Sequence, residues 1–196
     1  MQRPVLREIA RSQGRNVDPD YVARLAATFG LHVLGEVEMG EAQALAARLI
    51  GPGIADADAF GALQRAAGAA IFGARQDGAL VALLAAFPVN AAGLSRLEQD
   101  CFDAMALDMA LLAPPGELPA AYYGWGFAAS TKEGGRAVVK ASLAIHRELY
   151  WGVATYARAV TADGVRALTS IGFVAAPKGE GLFVIPPLSI VPGGGL

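Results

Sequence analysis

The chain has 196 residues, 54% hydrophobic and 17% charged, with a formal net charge of -2. That length and apolar content suit one domain of ordinary size with a substantial core, and they exclude a disordered polymer. No segment concentrates Lys and Arg, which excludes the electrostatic footprint of a nucleic-acid binder.

The first segment carries Arg3, Arg7, Glu8 and Arg11, and it lacks the unbroken apolar stretch of a secretory signal. Residues 5–12 read as a short helix. Asp18 and Pro19 read as the N-cap and first turn of a second helix to residue 29, closed by Gly30. Residues 31–39 alternate as a strand, 41–50 form a helix ended by Gly51-Pro52-Gly53, and 56–70 form another. Residues 71–75 and 79–89 make a hairpin across Gln76-Asp77-Gly78, where Asp-Gly is a strong turn signal. The run 79–89 is the longest apolar one, contains Pro88 and is too short to cross a bilayer, so no membrane partner is expected.

Residues 94–112 read as an amphipathic helix that buries Cys101 among Phe102, Met105 and Met109. Cys101 is the single cysteine, so no intrachain disulfide can form and a cytoplasmic setting is the simplest expectation. Strands follow at 120–129, 153–160, 173–176 and 181–185, with helices at 135–149 and 163–171 between them, and Gly172 as a C-cap. Residues 186–196 are a Pro/Gly-rich tail. The order predicts an α/β (α+β) layout, a mixed central sheet of about six to seven strands with helices on both faces. The expected organisation is one domain over 1–196: a helical arm (1–30), a core (31–185) and the tail.

The segment with the most chemical content is Lys132-Glu133-Gly134-Gly135-Arg136-Ala137. A strand, a glycine turn and a helix start direct free N–H groups and a positive helix end at one point, a site for phosphate or pyrophosphate. In the preceding strand, strict alternation puts Tyr123, Trp125 and Phe127 on one face and Tyr122, Gly124, Gly126 and Ala128 on the other. Glycines inside a strand mark a bulge or a close approach to the backbone. There is no GxxxxGK[ST] loop and no early GxGxxG.

The strand, the glycine turn and the segment 161–173, which ends in Ile171-Gly172-Phe173, together resemble the core of the GNAT family of acyl-CoA-dependent N-acyltransferases. Lys132, Gly135 and Ala137 fit the family's loop of Gln or Arg, two residues, Gly, one residue, then Gly or Ala, with Lys in the first place. The resemblance covers residues 31–185, with specific motif only at 122–173. It implies acetyl-CoA or another acyl-CoA as substrate, and acyl transfer to an amine of a small molecule or protein. It implies that the pantetheine arm lies along Phe127, Ala128 and Ala129, and that the N–H groups from Glu133 to Ala137 cradle the pyrophosphate, with Lys132 and Arg136 adding charge.

The family's catalytic Tyr, four residues before the Gly of the Gly-Phe pair, is replaced here by Leu168, and its common Asn corresponds to Thr161. Tyr156 and then Tyr122 are the substitute acids to consider, and unaided departure of the CoA thiolate is the alternative. A GNAT-like protein that binds acyl-CoA without turnover, as a sensor or pseudoenzyme, is the competing reading. No metal is called for, and a homodimer is the assembly to test for.

Overall fold

A computed structural model of the chain describes residues 18–51 and 53–188. The helix expected at 5–12 lies outside these residues, as does the tail from 189 onward. Seven strands form one sheet in the order β1-β2-β3-β4-β5-β7-β6. They are β1 (His32–Val33), β2 (Ile71–Gln76), β3 (Ala79–Val89), β4 (Ala121–Ala129), β5 (Ala154–Arg158), β6 (Val174–Ala175) and β7 (Leu182–Ile185). Among the described residues only β4 and β5 run parallel; the other pairings are antiparallel. The helices are α1 (Pro19–Ala27), α2 (Met39–Ile50), α3 (Ala57–Ala67), α4 (Ala91–Glu98), α5 (Lys132–Ile145) and α6 (Ala162–Ser170).

Local chemistry sets most of these boundaries. The Asp18 carboxylate accepts the Asp20 N–H at 3.0 Å, and Pro19 occupies the first position of α1. The β2–β3 hairpin turns at Asp77 and Gly78, with φ of 51° and 82°, the left-handed pair that a two-residue hairpin requires. The helix β4→α5→β5 is the crossover that parallel neighbours demand.

Two elements differ from expectation. The strand read at 31–39 shrinks to His32–Val33, because the Glu38 carboxylate turns back to accept the Gly35 N–H at 2.8 Å and starts a 3-10 turn. The helix read at 94–112 stops at Glu98. Asp100 takes a left-handed φ of 55°, and the Asp103 carboxylate draws the N–H groups of Met105 and Ala106 into a local turn. Phe102 is still buried, so the apolar spacing reports core contacts made from a loop. Cys101 is exposed there rather than buried.

Side chains from the α2–α3 face of the sheet form the larger core, centred on Leu83, Phe87, Tyr123 and Phe60. The α1–α5 face holds a second, around Phe72, Leu84, Val138 and Ile145, and α6 covers a third with Ala157, Leu168 and Phe173.

The last turn of α5 widens into a π-helical turn, His146–Tyr150. His146, the first residue of that turn, lies inward, where Nδ1 meets Thr155 Oγ1 at 2.9 Å. Only 6% of His146 is exposed. Burial, and then the neighbouring Arg147, hold its pKa below the usual 6.5. The folded state therefore binds fewer protons than the unfolded chain once pH drops below about 6.5. Folding stability is expected to fall with pH through that window, by up to about 1.4 kcal/mol per pH unit. Urea melts of the parent and His146→Gln between pH 7.5 and 5 check this. A parent slope that persists unchanged in His146→Gln assigns the effect to other groups.

Candidate functional site

The parallel pair β4–β5 is hydrogen-bonded only from Ala121–Ala154 to Gly124–Ala157. Beyond Gly124 the strands part. The cause lies in β4 itself, whose register against β3 jumps so that Ala85 faces Gly126 and Ala86 faces Gly124, leaving Trp125 as a bulge. A bulge increases local twist and bends its strand away from a neighbour. The edge of β4 from Trp125 to Ala129 is left without a strand partner on the β5 side.

The bulge also corrects the expected faces. Trp125 and Tyr123 belong to the α2–α3 core, but Phe127 crosses to the other face. Ala128 lies on the same side as Trp125, and Tyr122 on the opposite one. A Cβ on Gly124 would stand 2.7 Å from the Phe127 ring, so the bare backbone at Gly124 accommodates that ring. On Gly126 a Cβ would point to Ala85 at 3.7 Å, an ordinary contact.

A cavity of about 470 Å³ fills the opening between the parted strands. It extends from Ile50, Phe60 and Leu83 on the α2–α3 face, past Gly126 and Ala128, to Gly135, Val138 and Leu168 beside α5 and α6. Its volume falls in the range of small-molecule sites. The loop Phe102–Met105 closes one wall and is tied down by Trp125, whose Nε1 donates to the Ala104 carbonyl at 2.7 Å.

Both helices that follow the parted strands begin at this opening with the same cap. Thr131 Oγ1 accepts the Gly134 N–H at 3.1 Å, and Thr161 Oγ1 accepts the Gly164 N–H at 3.0 Å. Helix α5 therefore starts at Lys132, three residues before the position read from the glycines. That start corrects the N–H inventory. Gly135 donates to the Thr131 carbonyl at 3.0 Å, and Arg136 and Ala137 lie inside the helical ladder. The groups left at the open end are the N–H of Lys132 and Glu133, plus that of Gly134 whenever Thr131 releases it. The two glycines also separate. A Cβ on Gly134 would stand 2.9 Å from the Ala82 Cβ, so Gly134 serves helix–sheet contact. Gly135 faces the cavity, where a Cβ would stand 3.7 Å from Ala129.

Of the residues singled out from the sequence, Phe127, Ala128, Ala129 and Gly135 line the cavity. Lys132, Glu133 and Arg136 are exposed around the helix start, Gly134 is buried against β3, and Ala137 packs on the α5 face. Neither candidate acid is brought in. Tyr122 stacks on Tyr150, ring centroids 4.1 Å apart and planes 12° apart, and burial holds its phenol far above the usual range. Tyr156 points into the α2–α3 core, where burial and then Glu98 raise its pKa. Tyr123, its neighbour across the strand pair, is pushed up to about 12 by burial.

The cavity wall contains four polar side chains, each with an intramolecular partner. Asp103 Oδ1 accepts from Ala106 and Met105, which holds its pKa low. Arg158 donates to Asp100 at 2.7 Å and to the Glu180 carbonyl. Thr161 caps α6, and Trp125 holds Ala104. Asp103, Arg158 and the indole N–H carried no signal in the sequence, because the loop and the bulge that place them were not readable there. Among the described residues no His, Cys, Asp and Glu group could hold a metal, and no helix is long and apolar enough to cross a membrane.

No family model matches the sequence, and no curated protein matches it. Solved structures do match the fold. The GphF GNAT-like decarboxylase in complex with isobutyryl-CoA aligns with a TM-score of 0.53 at 15% identity, over 71% of this chain and 70% of that one. The ribosomal-protein-S18-alanine N-acetyltransferase from Escherichia coli aligns with a TM-score of 0.50 at 16% identity, over 85% of this chain and 97% of that one. The chain has the GNAT fold.

Proposed function

We propose that this protein binds an acyl-CoA thioester in the opening between β4 and β5 and transfers the acyl group to an amine. The observation that carries the reading is the opening itself: a cavity that passes through the sheet where two parallel strands part, with a helix start at its rim. The unpartnered edge of β4 from Trp125 to Ala129 supplies the backbone donors and acceptors that an extended pantetheine arm, with its two amides, can pair with. The N–H groups of Lys132 and Glu133 and the positive end of α5 suit the pyrophosphate, and the side chains of Lys132 and Arg136 add charge from outside the cavity. The GNAT-fold decarboxylase solved with isobutyryl-CoA supports a CoA thioester as the ligand class.

Acyl transfer requires a neutral amine and a leaving thiolate. Leu168 lines the cavity where the resemblance calls for a Tyr, and the side chains of Tyr122 and Tyr156 are packed elsewhere. In this reading the thiolate leaves without a side-chain acid, and the amine loses its proton to solvent. The same observation favours the second reading, an acyl-CoA binder without turnover. It also keeps transfer slow, since proton transfer by a placed group contributes a factor on the order of 10² to 10⁴.

Binding is tested by melting the protein with and without CoA and acetyl-CoA. At a ligand concentration of ~100 Kd the folded state gains about 2.7 kcal/mol, a rise of roughly 5–10 °C for a chain of this size. No shift at millimolar ligand would remove CoA from the account. Thiol release from acetyl-CoA across a panel of amines then separates transferase from binder.

A further inference from the structure

We propose that the part of the cavity on the α2–α3 face is an acyl-chain pocket, which selects CoA thioesters whose apolar acyl chain is several methylenes longer than acetyl. The proposal rests on the acyl-CoA reading above and specifies its substrate class. An acetyl group is a single methyl beyond the thioester carbonyl and could touch only a few of the apolar side chains that wall this face. The wall on this face is made by Ile50, Ile54, Phe60, Leu83, Phe102 and Met105.

The polar side chains of the wall are turned to partners within the chain. Each of the four polar side chains lining the cavity is already engaged within the chain: Asp103 by two N–H groups, Arg158 by Asp100 and the Glu180 carbonyl, Thr161 by Gly164 and Trp125 by Ala104. A polar or charged acyl group entering this lobe would exchange its water for a wall of apolar side chains, which is unfavourable. An alkyl chain carries no such penalty and gains from every methylene removed from water.

The loop that closes the lobe is built to hold that shape. Phe102 is buried against Tyr123, ring centroids 4.9 Å apart, and Trp125 is wedged between Phe60 and Phe87 while its N–H grips Ala104. An aromatic wall fixed at both ends gives the lobe a defined depth, so affinity should rise with chain length and then stop rising.

The test is calorimetric titration with free CoA and with acetyl-, butyryl-, hexanoyl- and octanoyl-CoA. The expected result is a Kd that falls by about fourfold for each added methylene until the lobe is filled. Ala104→Phe, which projects a ring from the loop into the lobe, should flatten the series beyond acetyl. Ile54→Phe does the same from the opposite wall and serves if the first variant fails to fold. Equal affinities from acetyl to octanoyl, with free CoA still binding, would overturn the acyl-chain pocket alone. So would a folded Ala104→Phe or Ile54→Phe that keeps the full chain-length gain. Failure of free CoA and every thioester to bind overturns the acyl-CoA reading itself, and the pocket with it.

Discussion

Gly135→Asp is expected to weaken CoA binding by a factor on the order of 10² to 10³ and to leave the protein folded. Gly135 faces the cavity beside the helix start, and a Cβ there meets nothing closer than Ala129 at 3.7 Å. The new carboxylate sits in the first turn of α5, where a negative charge is mildly stabilising, so folding is not penalised. A bound pyrophosphate would find that charge beside it. Two unit charges ~4 Å apart at an effective dielectric of ~20 repel by about 4 kcal/mol, and each 1.4 kcal/mol is tenfold in affinity. The neighbouring glycine supplies the contrast. Gly134→Ala forces a methyl to 2.9 Å from Ala82 and should lower stability by about 1–3 kcal/mol. Calorimetric titration of folded Gly135→Asp decides the matter, and parental affinity for CoA would place the pyrophosphate elsewhere.

How much of this was legible in the residues depends on whether the deciding contact is local. The hairpin at Asp77-Gly78 and the cap at Asp18-Pro19 were readable because a turn or cap is fixed by the residues that form it. The crossover β4→α5→β5 followed from the order of elements, and parallel pairing is what the structure has. The start of α5 was misplaced although its signal was present. Thr131 is a good N-cap, and its hydroxyl captures Gly134 before the glycine pair can end the turn at Gly135. A second Thr with Gly three residues later, Thr161 and Gly164, could have shown the pattern.

The bulge at Trp125 was out of reach. Gly124 and Gly126 flank it with no side chains to mark a face, so a one-residue change of phase leaves no trace in the alternation. The loop after α4 misled for a different reason. Phe102 and Met109, seven residues apart, keep helical spacing, yet Asp103 and Asp108 divert the backbone into local turns while both apolar side chains still reach the core. Those two features carry much of the site. The bulge opens the sheet, and the loop walls the cavity that the opening creates, so the lobe was hidden even though the helix start at its rim was not.

Trp125 joins the two features, and its removal should have the largest effect on stability. The indole packs between Phe60 and Phe87, with ring centroids at 4.9 and 6.2 Å, and donates to Ala104 at 2.7 Å. Trp125→Ala removes a core ring at the point where β4 leaves its partner, and the bulged backbone cannot close the hole without giving up its register against β3. Such truncations cost about 3–5 kcal/mol. For a chain of this size, that lowers Tm by on the order of 10 °C. Trp125→Phe separates packing from the hydrogen bond. It keeps most of the ring, loses the N–H and should cost about 1 kcal/mol, the net worth of one hydrogen bond. Urea unfolding of both variants gives the two numbers. If Trp125→Ala melts within a degree or two of the parent, the ring does not brace the bulge. If Trp125→Phe loses as much as Trp125→Ala, the grip on Ala104 rather than the aromatic stack holds the loop against the sheet.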